Sequence, residues 1–269
     1  MRYPQDFLSR VPQSGDAAAN LVPHHLYMEQ TVAAATIGAA FVQPIGSRDF
    51  LWTHIGFHSA YEGLVSIRDT GTGEQFTSDR INTRSIVGNQ LSFFRLPLPW
   101  LFLANSQVEC VYENLDAGNG DTMKIVLRGL GVPSSMALAV PSEVRRRRWL
   151  PYFLQVFGAA VTHGTVGSTT PSKPVGSRDF HWTHLGLHAP ATISAWKVFL
   201  RDVGSGEAFM NARTDAESIV GQDHYPQAFG WKINGKSGIY ADVENNDSAD
   251  DLRFDVTAIG YTDRETLLS

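Results

Sequence analysis

Apolar and polar residues alternate along several short stretches of the chain, with the period of two that is typical of β-strands. In the stretch FLWTHIGFH, residues 50–58, the alternation predicts two faces. One face would hold Trp52, His54 and His58, and the other Thr53, Ile55 and Phe57. Similar segments are VSIRD, QVECVYEN, MKIVLRG and KVFLRD, and loops rich in Gly, Asp and Asn separate them. This spacing predicts an all-β fold of antiparallel, jelly-roll-like β-sandwiches.

A long internal repeat divides the chain into two halves. Residues 44–58 read PIGSRDFLWTHIGFH and residues 174–188 read PVGSRDFHWTHLGLH, with 11 of 15 positions identical. The likeness continues from IRDTGTGEQF to LRDVGSGEAF, through SIVG in both halves, and to a Glu-Asn pair in each. Upstream, Tyr27 and Gln30 are matched with Tyr152 and Gln155. Repetition in a fixed order indicates the tandem duplication of one domain.

We predict four segments: an extended N-terminal arm at residues 1–23, a β-sandwich at 24–133, a linker at 134–148 and a second β-sandwich at 149–269. The arm has no counterpart in the repeat and lacks periodicity, which is typical of segments that become ordered against a neighbour. The alanine-rich residues 31–40 fit either a helix or a strand. Residues 93–102 carry two prolines, which predicts an edge strand or a loop leading into one. This segment either closes one end of the sandwich or contacts another subunit.

Composition and charge narrow the classes of function. The net charge of −5 argues against nucleic acid as the main partner. Charged residues make up 18% of the chain, below the average of about 25%. This fits either a surface covered in an assembly or a β-protein rich in uncharged polar residues. The N-terminal residues lack the apolar core of a signal peptide, and no apolar run is long enough to span a membrane. We therefore expect folding in a reducing cytoplasm, without a membrane partner.

Candidate chemistry is sparse. His54 and His58, repeated as His184 and His188, lie four residues apart, or about 13 Å along a strand, too far to share one metal ion unless the strand bends. We expect half-buried histidines with hydrogen-bonded partners instead. The glycine-rich loop DTGTGE fits a hairpin turn with positive φ better than a calcium loop. The single cysteine, Cys110, lies in an alternating strand and is predicted to pack in the core. No catalytic residue, metal site or cofactor is predicted.

Partner contacts are the remaining candidates. The sequence has four consecutive arginines in the linker, which fit either a solvated segment or docking to an acidic surface on a partner. The predicted partner-binding residues are Arg145, Arg146, Arg147, Arg148 and Trp100. Trp100, Trp196 and Trp231 are also candidates for stacking on a sugar ring, provided that they are exposed.

Several motifs resemble β-sandwich modules in virion proteins of tailed bacteriophages. The resemblance rests on residues 67–74, 96–108, 113–114 and 125–132. Copy 2 departs from it, because HYPQAF at residues 224–229 replaces the LPLP segment. The resemblance implies a non-enzymatic particle component, of the head decoration or cement type or else from the tail or fibre. The implied partners are other copies of the chain and a major capsid or tail protein, and the implied location is the virion. A carbohydrate-binding host-adhesion module is an alternative, and a hydrolase would require a cleft with paired carboxylates or a bound metal.

Overall fold

The computed structural model describes residues 22–88, 93–133, 149–169, 173–190, 193–247 and 250–263. The described residues upstream of the linker, which we call copy 1, contain eight strands. These strands are β1 Val22–Val32, β2 Phe41–Pro44, β3 Asp49–His58, β4 Gly63–Asp69, β5 Ile81–Asn82, β6 Phe94–Phe102, β7 Gln107–Asn114 and β8 Asp121–Val132. A short helix, α1 Arg84–Val87, follows β5. Because β1 begins at Val22, the last two residues of the predicted arm belong to the first sheet.

Downstream of the linker, the part of the chain that the structure describes, which we call copy 2, contains nine strands. These strands are β9 Trp149–Val161, β10 Val166–Ser168, β11 Lys173–Pro174, β12 Phe180–His188, β13 Trp196–Asp202, β14 Thr214–Asp215, β15 Gln227–Ile233, β16 Gly238–Asn245 and β17 Leu252–Asp263. A single 3₁₀ turn, Ile193–Ala195, precedes β13, and a short helix, α2 Ala216–Val220, follows β14. The order of elements therefore repeats that of copy 1.

Each copy contains two antiparallel sheets. In copy 1, sheet I has the order β1-β8-β3-β6 and sheet II the order β2-β7-β4-β5. In copy 2, sheet III has the order β15-β12-β17-β9, and sheet IV the order β10-β16-β13-β14 with β11 also paired to β16. Two sheets built from eight strands are the arrangement of a jelly roll. The predicted fold class, duplicated antiparallel β-sandwiches, is confirmed.

The alternation predicted for residues 50–58 is wrong at one point. The register of β3 shifts between Trp52 and His54 against both neighbouring strands, so Thr53 forms a β-bulge. An extra residue in one strand reverses the side-chain alternation beyond it. Trp52, Ile55 and Phe57 therefore all point into the core, whereas His58 is exposed. Copy 2 has the same shift between Trp182 and His184.

The strand register also corrects the predicted match of Tyr27 in copy 1 with Tyr152 in copy 2. Phe57 pairs with Ile125 and Leu187 with Val256, so Val126 and Thr257 occupy the same place in β8 and β17. Their partners on the next strand are Tyr27 in copy 1 and Gln155 in copy 2. The counterpart of Tyr27 is therefore Gln155 and not Tyr152, because spacing in sequence does not determine strand register.

The structure decides the conformation of the two segments for which the sequence left alternatives, the alanine-rich residues 31–40 and the proline-bearing residues 93–102. The alanine-rich segment is neither a continuous helix nor a strand, since β1 ends at Val32 and the chain then turns through residues 33–40. The proline-bearing segment forms β6, an edge strand of sheet I, as predicted. Phe94, Trp100 and Phe102 on this strand are buried in the core. Proline is tolerated there because an edge strand has one side without a ladder partner.

The two cores meet between the copies. One cluster of buried side chains fills copy 1 around Trp52, Phe76 and Trp100, and a second fills copy 2 around Trp182 and Trp196. Leu150, Phe153 and Ile259 belong by sequence to copy 2 but pack in the cluster of copy 1. The two sandwiches are therefore joined by shared apolar packing, which contributes roughly 1.5–3 kcal/mol for each large side chain that is fully buried.

Candidate functional site

The contact between the copies, which we call the junction, begins with backbone pairing. Phe153 on β9 forms a parallel bridge with Thr77 of copy 1. Its N–H donates to the Phe76 carbonyl at 2.8 Å, and its carbonyl accepts from the Ser78 N–H at 2.9 Å. The Gln155 N–H adds a bond of 2.9 Å to the Ser78 hydroxyl. Strand β9 is at the edge of sheet III, so copy 1 supplies partners for backbone groups that the sheet leaves open.

Helix α1 packs on the outer face of sheet III. The Ser85 carbonyl lies against Gly186 on β12, where there is no room for a side chain. The Ser85 hydroxyl lies 2.7 Å from the Thr257 hydroxyl and 2.7 Å from the Asn82 carbonyl. Ser85 and Thr257 are both fully buried, so these polar groups rely on each other for hydrogen bonding. This arrangement fixes the position of α1 on the sheet.

A buried carboxylate lies at the centre of the junction. Asp255 on β17 is 0% exposed. Asn82 donates to its Oδ2 atom at 2.9 Å, and Gln155 donates to its Oδ1 atom at 2.8 Å. The Arg253 guanidinium makes further bonds at 2.8–3.1 Å and neutralises the charge. Burial alone would lower the pKa of Arg253, but its bond to Asp255 and the charge of that residue raise it above its usual value. A buried charge is tolerated when it is paired and hydrogen-bonded in this way.

A chain of three titratable side chains crosses the junction beside this carboxylate. The His188 Nε2 atom makes a short contact with the Glu62 carboxylate of copy 1. The His188 Nδ1 atom lies 3.0 Å from the His224 Nδ1 atom, so one proton is shared between the two rings. His188 and His224 are 1% and 3% exposed. The cluster therefore links the copies through a hydrogen-bonded path that is almost closed to solvent.

Burial and charge determine the protonation of this cluster. Burial, together with the neighbouring His188, lowers the pKa of His224 to about 4. Burial would raise the pKa of Glu62, but its hydrogen bond and attraction to His188 lower it overall. At neutral pH, Glu62 is therefore a carboxylate and His224 is neutral. Such a cluster can hold two surfaces together and respond to acid. Among the described residues, no group of three or more His, Cys, Asp and Glu side chains is arranged to hold a metal ion.

The repeated histidines do not act as pairs. His54 and His184 each bond through Nδ1 to the threonine before them, at 2.8 Å and 3.0 Å. Burial lowers the pKa of both side chains, and for His54 the nearby Arg128 adds to the effect. His188 lies in the junction, whereas its counterpart His58 is exposed. Residues with the same place in the repeat therefore have different surroundings, because only one of the two equivalent faces is covered within the chain.

The tryptophans predicted to contact partners are mostly internal. Trp100 is 1% exposed, and its indole N–H donates to the Asp69 carboxylate at 3.1 Å. Trp196 is 0% exposed and stacks on Phe254. The assignment of Trp100 to a partner contact is therefore corrected, because an indole inside a sandwich core cannot stack on a sugar ring or touch another subunit. Trp231, the counterpart of Trp100, is 36% exposed. The arginine tract at residues 145–148 lies outside the described residues.

The polar residues shared by both copies form internal hydrogen bonds. Thr53 and Thr183 donate to carbonyls of the neighbouring strand at 3.1 Å and 3.0 Å. Asn114 and Asn245 each donate to two carbonyls and tie a loop to the end of the first strand of their copy, at Ala33 just after β1 and at Val161 in β9. In the turn after β4, Gly73 has a positive φ as predicted, whereas Gly71 does not, and Gly206 in the turn after β13 matches Gly73. Cys110 is buried beside Met28, as predicted, and burial raises the pKa of its thiol.

Sequence patterns did not identify most residues of the junction. Glu62, Asn82 and Asp255 are single polar residues in strands or loops, and their partners are separated from them by up to 173 positions. Two weak signals were present. His188 was singled out by the repeat, and His224 lies in the segment where copy 2 departs from copy 1. A further signal is that equivalent positions of the two copies carry opposite charges, Lys124 and Asp255. Only the strand register shows that these positions are equivalent.

The chain is distantly similar to several proteins of known structure. No protein-family model and no curated protein matches it. A chain in the atomic structure of Sulfolobus Turreted Icosahedral Virus is 7% identical, with 89% of this chain and 90% of that chain covered and a TM-score of 0.48. Recombinant N-glycanase F is 10% identical, with 91% and 96% covered and a TM-score of 0.35. A chain of the T=1 Penaeus vannamei nodavirus is 10% identical, with 88% and 98% covered and a TM-score of 0.21. These distant likenesses do not assign a function.

No helix in the described part of the chain has the length and apolar character needed to cross a bilayer.

Proposed function

We propose that this chain is a non-enzymatic structural protein of a virion, which decorates or cements a bacteriophage capsid through contacts between subunits. The observation that carries the proposal is the use of the shared polar residues. The threonines, asparagines and aspartates kept in both copies hold strands, loops and indoles in place. A duplicated enzyme would be expected to keep a set of polar groups facing a cleft. The motifs that resemble phage virion modules agree with this proposal.

The junction supports the same role mechanically. Shared apolar packing and a buried polar cluster join the two sandwiches, so that they resist separation as a structural subunit must. The proposed partners are further copies of the chain and a major capsid or tail protein, and the location is the virion. A rigid pair of sandwiches would also suit a component of the tail or fibre. The arginine tract at residues 145–148 is proposed to dock on an acidic surface of a partner.

Light scattering of the purified full chain over a range of concentrations tests this proposal, with electron microscopy of the same samples. We expect defined oligomers or ordered arrays. A chain that stays monomeric at every concentration and adds to no purified phage capsid would contradict a decorating role.

A carbohydrate-binding module is the second candidate, because Trp231 is 36% exposed and packs against Phe209, which also packs against Phe229. Exposed aromatic rings of this kind can stack on sugars. A glycan-binding screen of the wild-type chain and the Trp231→Ala variant tests it. Binding that disappears in the variant would favour host adhesion, and a screen without any binding would remove this candidate.

A further inference from the structure

The junction joins two different faces of one fold. Copy 1 contributes the segment around residues 76–88, which we call the loop face. Copy 2 contributes strand β9 and the outer surface of sheet III, which we call the sheet face. Because the copies share a fold, each face has a counterpart. Copy 2 has its own loop face at residues 209–221, and copy 1 has its own sheet face on sheet I with edge strand β1.

These two counterpart faces are more exposed than the faces in the junction. On the loop faces, Phe76 and Ser85 of copy 1 are 0% exposed, whereas Phe209 is half-buried and Ser218 is exposed in copy 2. Phe209 packs with Phe229 and the half-exposed Trp231, so an aromatic patch lies at this surface. An exposed group of aromatic residues is typical of a surface that binds another protein.

The sheet faces show the same contrast. Thr257 and His188 of copy 2 are 0% and 1% exposed in the junction. Their counterparts on copy 1 are Val126, which is half-buried, and His58, which is exposed. Tyr27 on edge strand β1, the counterpart of Gln155, is 49% exposed. The surface that would receive a loop face is therefore exposed on copy 1 at Tyr27 and His58 and half-buried at Val126.

The charges on the two open faces are complementary. At the centre of the junction Asn82 donates to Asp255. The repeat places Asp215 at the position of Asn82, and the strand register places Lys124 at the position of Asp255. If an open loop face met an open sheet face in the same way, the central contact would be an ion pair between Asp215 and Lys124. Such a pair favours association and fixes its orientation.

A second complementary pair lies beside the first. Arg84 is close enough to Glu62 and His224 in the junction to influence their pKa values. The counterpart of Arg84 on the open loop face is Glu217, which is half-buried. Across the same contact Glu217 would approach His58, the exposed counterpart of His188. The open loop face therefore presents Asp215 and Glu217 to Lys124 and His58. The two faces also carry charges of the other sign, since Glu29 pairs with Lys124 across the strands of the sheet face and Arg213 lies on the loop face.

We propose that the loop face of copy 2 binds the sheet face of copy 1 in a second molecule of this chain, with Asp215 of one molecule paired to Lys124 of the other. The inference deepens the proposed function, on which it rests for the existence of self-association, and it names the surfaces. Because the two faces differ, each molecule offers one of each and binds two neighbours. Such heterologous contacts close into rings or continue as filaments.

One side chain must move for this contact to form. The Phe93 ring lies over Gly56, the counterpart of Gly186, about where the backbone of α2 from the second molecule would lie. Phe93 is 41% exposed, and the guanidinium carbon of Arg128 lies 6.0 Å from the centroid of its ring. Rotation of an exposed ring at an interface is a common adjustment on binding. In the free chain, the Phe93 side chain thus covers the part of the sheet face around Gly56, and it must rotate away before the second molecule binds.

A charge-reversal cycle on the full chain tests the proposal. The variants are Lys124→Glu, Asp215→Lys and the double variant that carries both, with Lys173→Glu as a matched control outside both faces. Native mass spectrometry and light scattering give the dissociation constant. We expect each single reversal to raise it at least about tenfold, and the double variant to return to within about threefold of wild type. Circular dichroism and thermal unfolding of the dissociated chain confirm that each variant is folded.

Three outcomes would be decisive. The proposed contact would be supported if each single variant self-associated more weakly than wild type and the double variant self-associated about as strongly as wild type. A wild-type chain that assembles while all four variants assemble equally well would overturn the contact and leave the structural role intact. A wild-type chain that is monomeric at all concentrations, or one that instead binds glycans through Trp231, would overturn both the contact and self-association.

Discussion

The backbone carbonyl of Ser85 lies 1.9 Å from the place where a Cβ atom would stand on Gly186. Copy 1 therefore approaches copy 2 so closely that only glycine fits. We expect Gly186→Ala to lower the free energy of unfolding by about 2–3 kcal/mol, because the neighbouring element is backbone and must shift. Urea unfolding measures this loss. The control is Gly230→Ala, where nothing lies within 4 Å of the added atom, and an equal loss in both variants would contradict the close approach.

Asp255 accepts hydrogen bonds from Asn82, Gln155 and Arg253 at the centre of the junction. Its replacement by alanine leaves these donors without an acceptor and leaves the guanidinium without its counter-charge. We expect Asp255→Ala to lower the free energy of unfolding by about 3 kcal/mol. The exposed residue Asp250 provides the control, since Asp250→Ala is expected to change stability by less than about 0.5 kcal/mol. A loss below about 1 kcal/mol for Asp255→Ala would show that the carboxylate does not hold the copies together.

The junction is expected to weaken in acid. The pKa of His224 is about 4 in the folded chain, below its ordinary value of 6.5. The unfolded chain therefore binds more protons between those two values, and stability falls as the pH decreases from 6.5 to 4. The pKa of Glu62 is also lowered, so its contribution is present at neutral pH and is lost in stronger acid.

We expect His224 to contribute about 1–2 kcal/mol to this fall. One pKa unit corresponds to about 1.4 kcal/mol, and the partial exposure of Glu62 at the end of the cluster reduces the effect. His224→Asn is the suitable variant, because asparagine tolerates the positive φ of 54° at this position. Chemical unfolding of both proteins at pH 7 and pH 4.5 measures the difference. A variant that loses as much stability as wild type over this range would exclude His224 as the responsive group.

Trp100 and Trp231 occupy the same place in the two copies and differ in exposure, at 1% and 36%. Each donates to an aspartate, at 3.1 Å and 3.2 Å, so the polar contact is matched and burial is the main difference. We expect Trp100→Ala to cost about 3–5 kcal/mol of stability and Trp231→Ala about 1–2 kcal/mol. Denaturant unfolding provides both values. Equal losses would mean that the second indole is covered in solution, for example by another molecule of the chain.

Local features of the fold could be predicted from the sequence. The alternation of residues 107–114 predicts a strand with Cys110 in the core, and Cys110 is buried together with Val108 and Tyr112 on the same face. The glycines of the turn after β4 indicated positive φ, which Gly73 has. These features depend on neighbouring residues, so a local pattern is sufficient. The bulge at Thr53 was missed because inserting one residue leaves the composition of a strand unchanged while reversing its faces.

The junction could not be predicted in the same way. The bond from Asn82 to Asp255 joins residues 173 positions apart, and neither residue stands out in its local sequence. The apolar, proline-bearing segment at residues 93–102 fits a contact with another subunit, which would place Trp100 at a surface. Its burial follows from the pairing of β6 with β3, which directs the indole inward. Contacts of this kind depend on how sheets are stacked, which sequence periodicity does not encode.

The unlike residues Lys124 and Asp255 occupy one place in a duplicated fold. In an ancestor with a single domain that assembled head to tail, both positions would have been the same residue. One mutation there would have changed every contact between subunits at once. Fusion of two copies separates the contacts, so that one becomes permanent within a polypeptide and the other can be formed and broken. Natural selection can then tune the strength of assembly at one contact without loosening the building block itself.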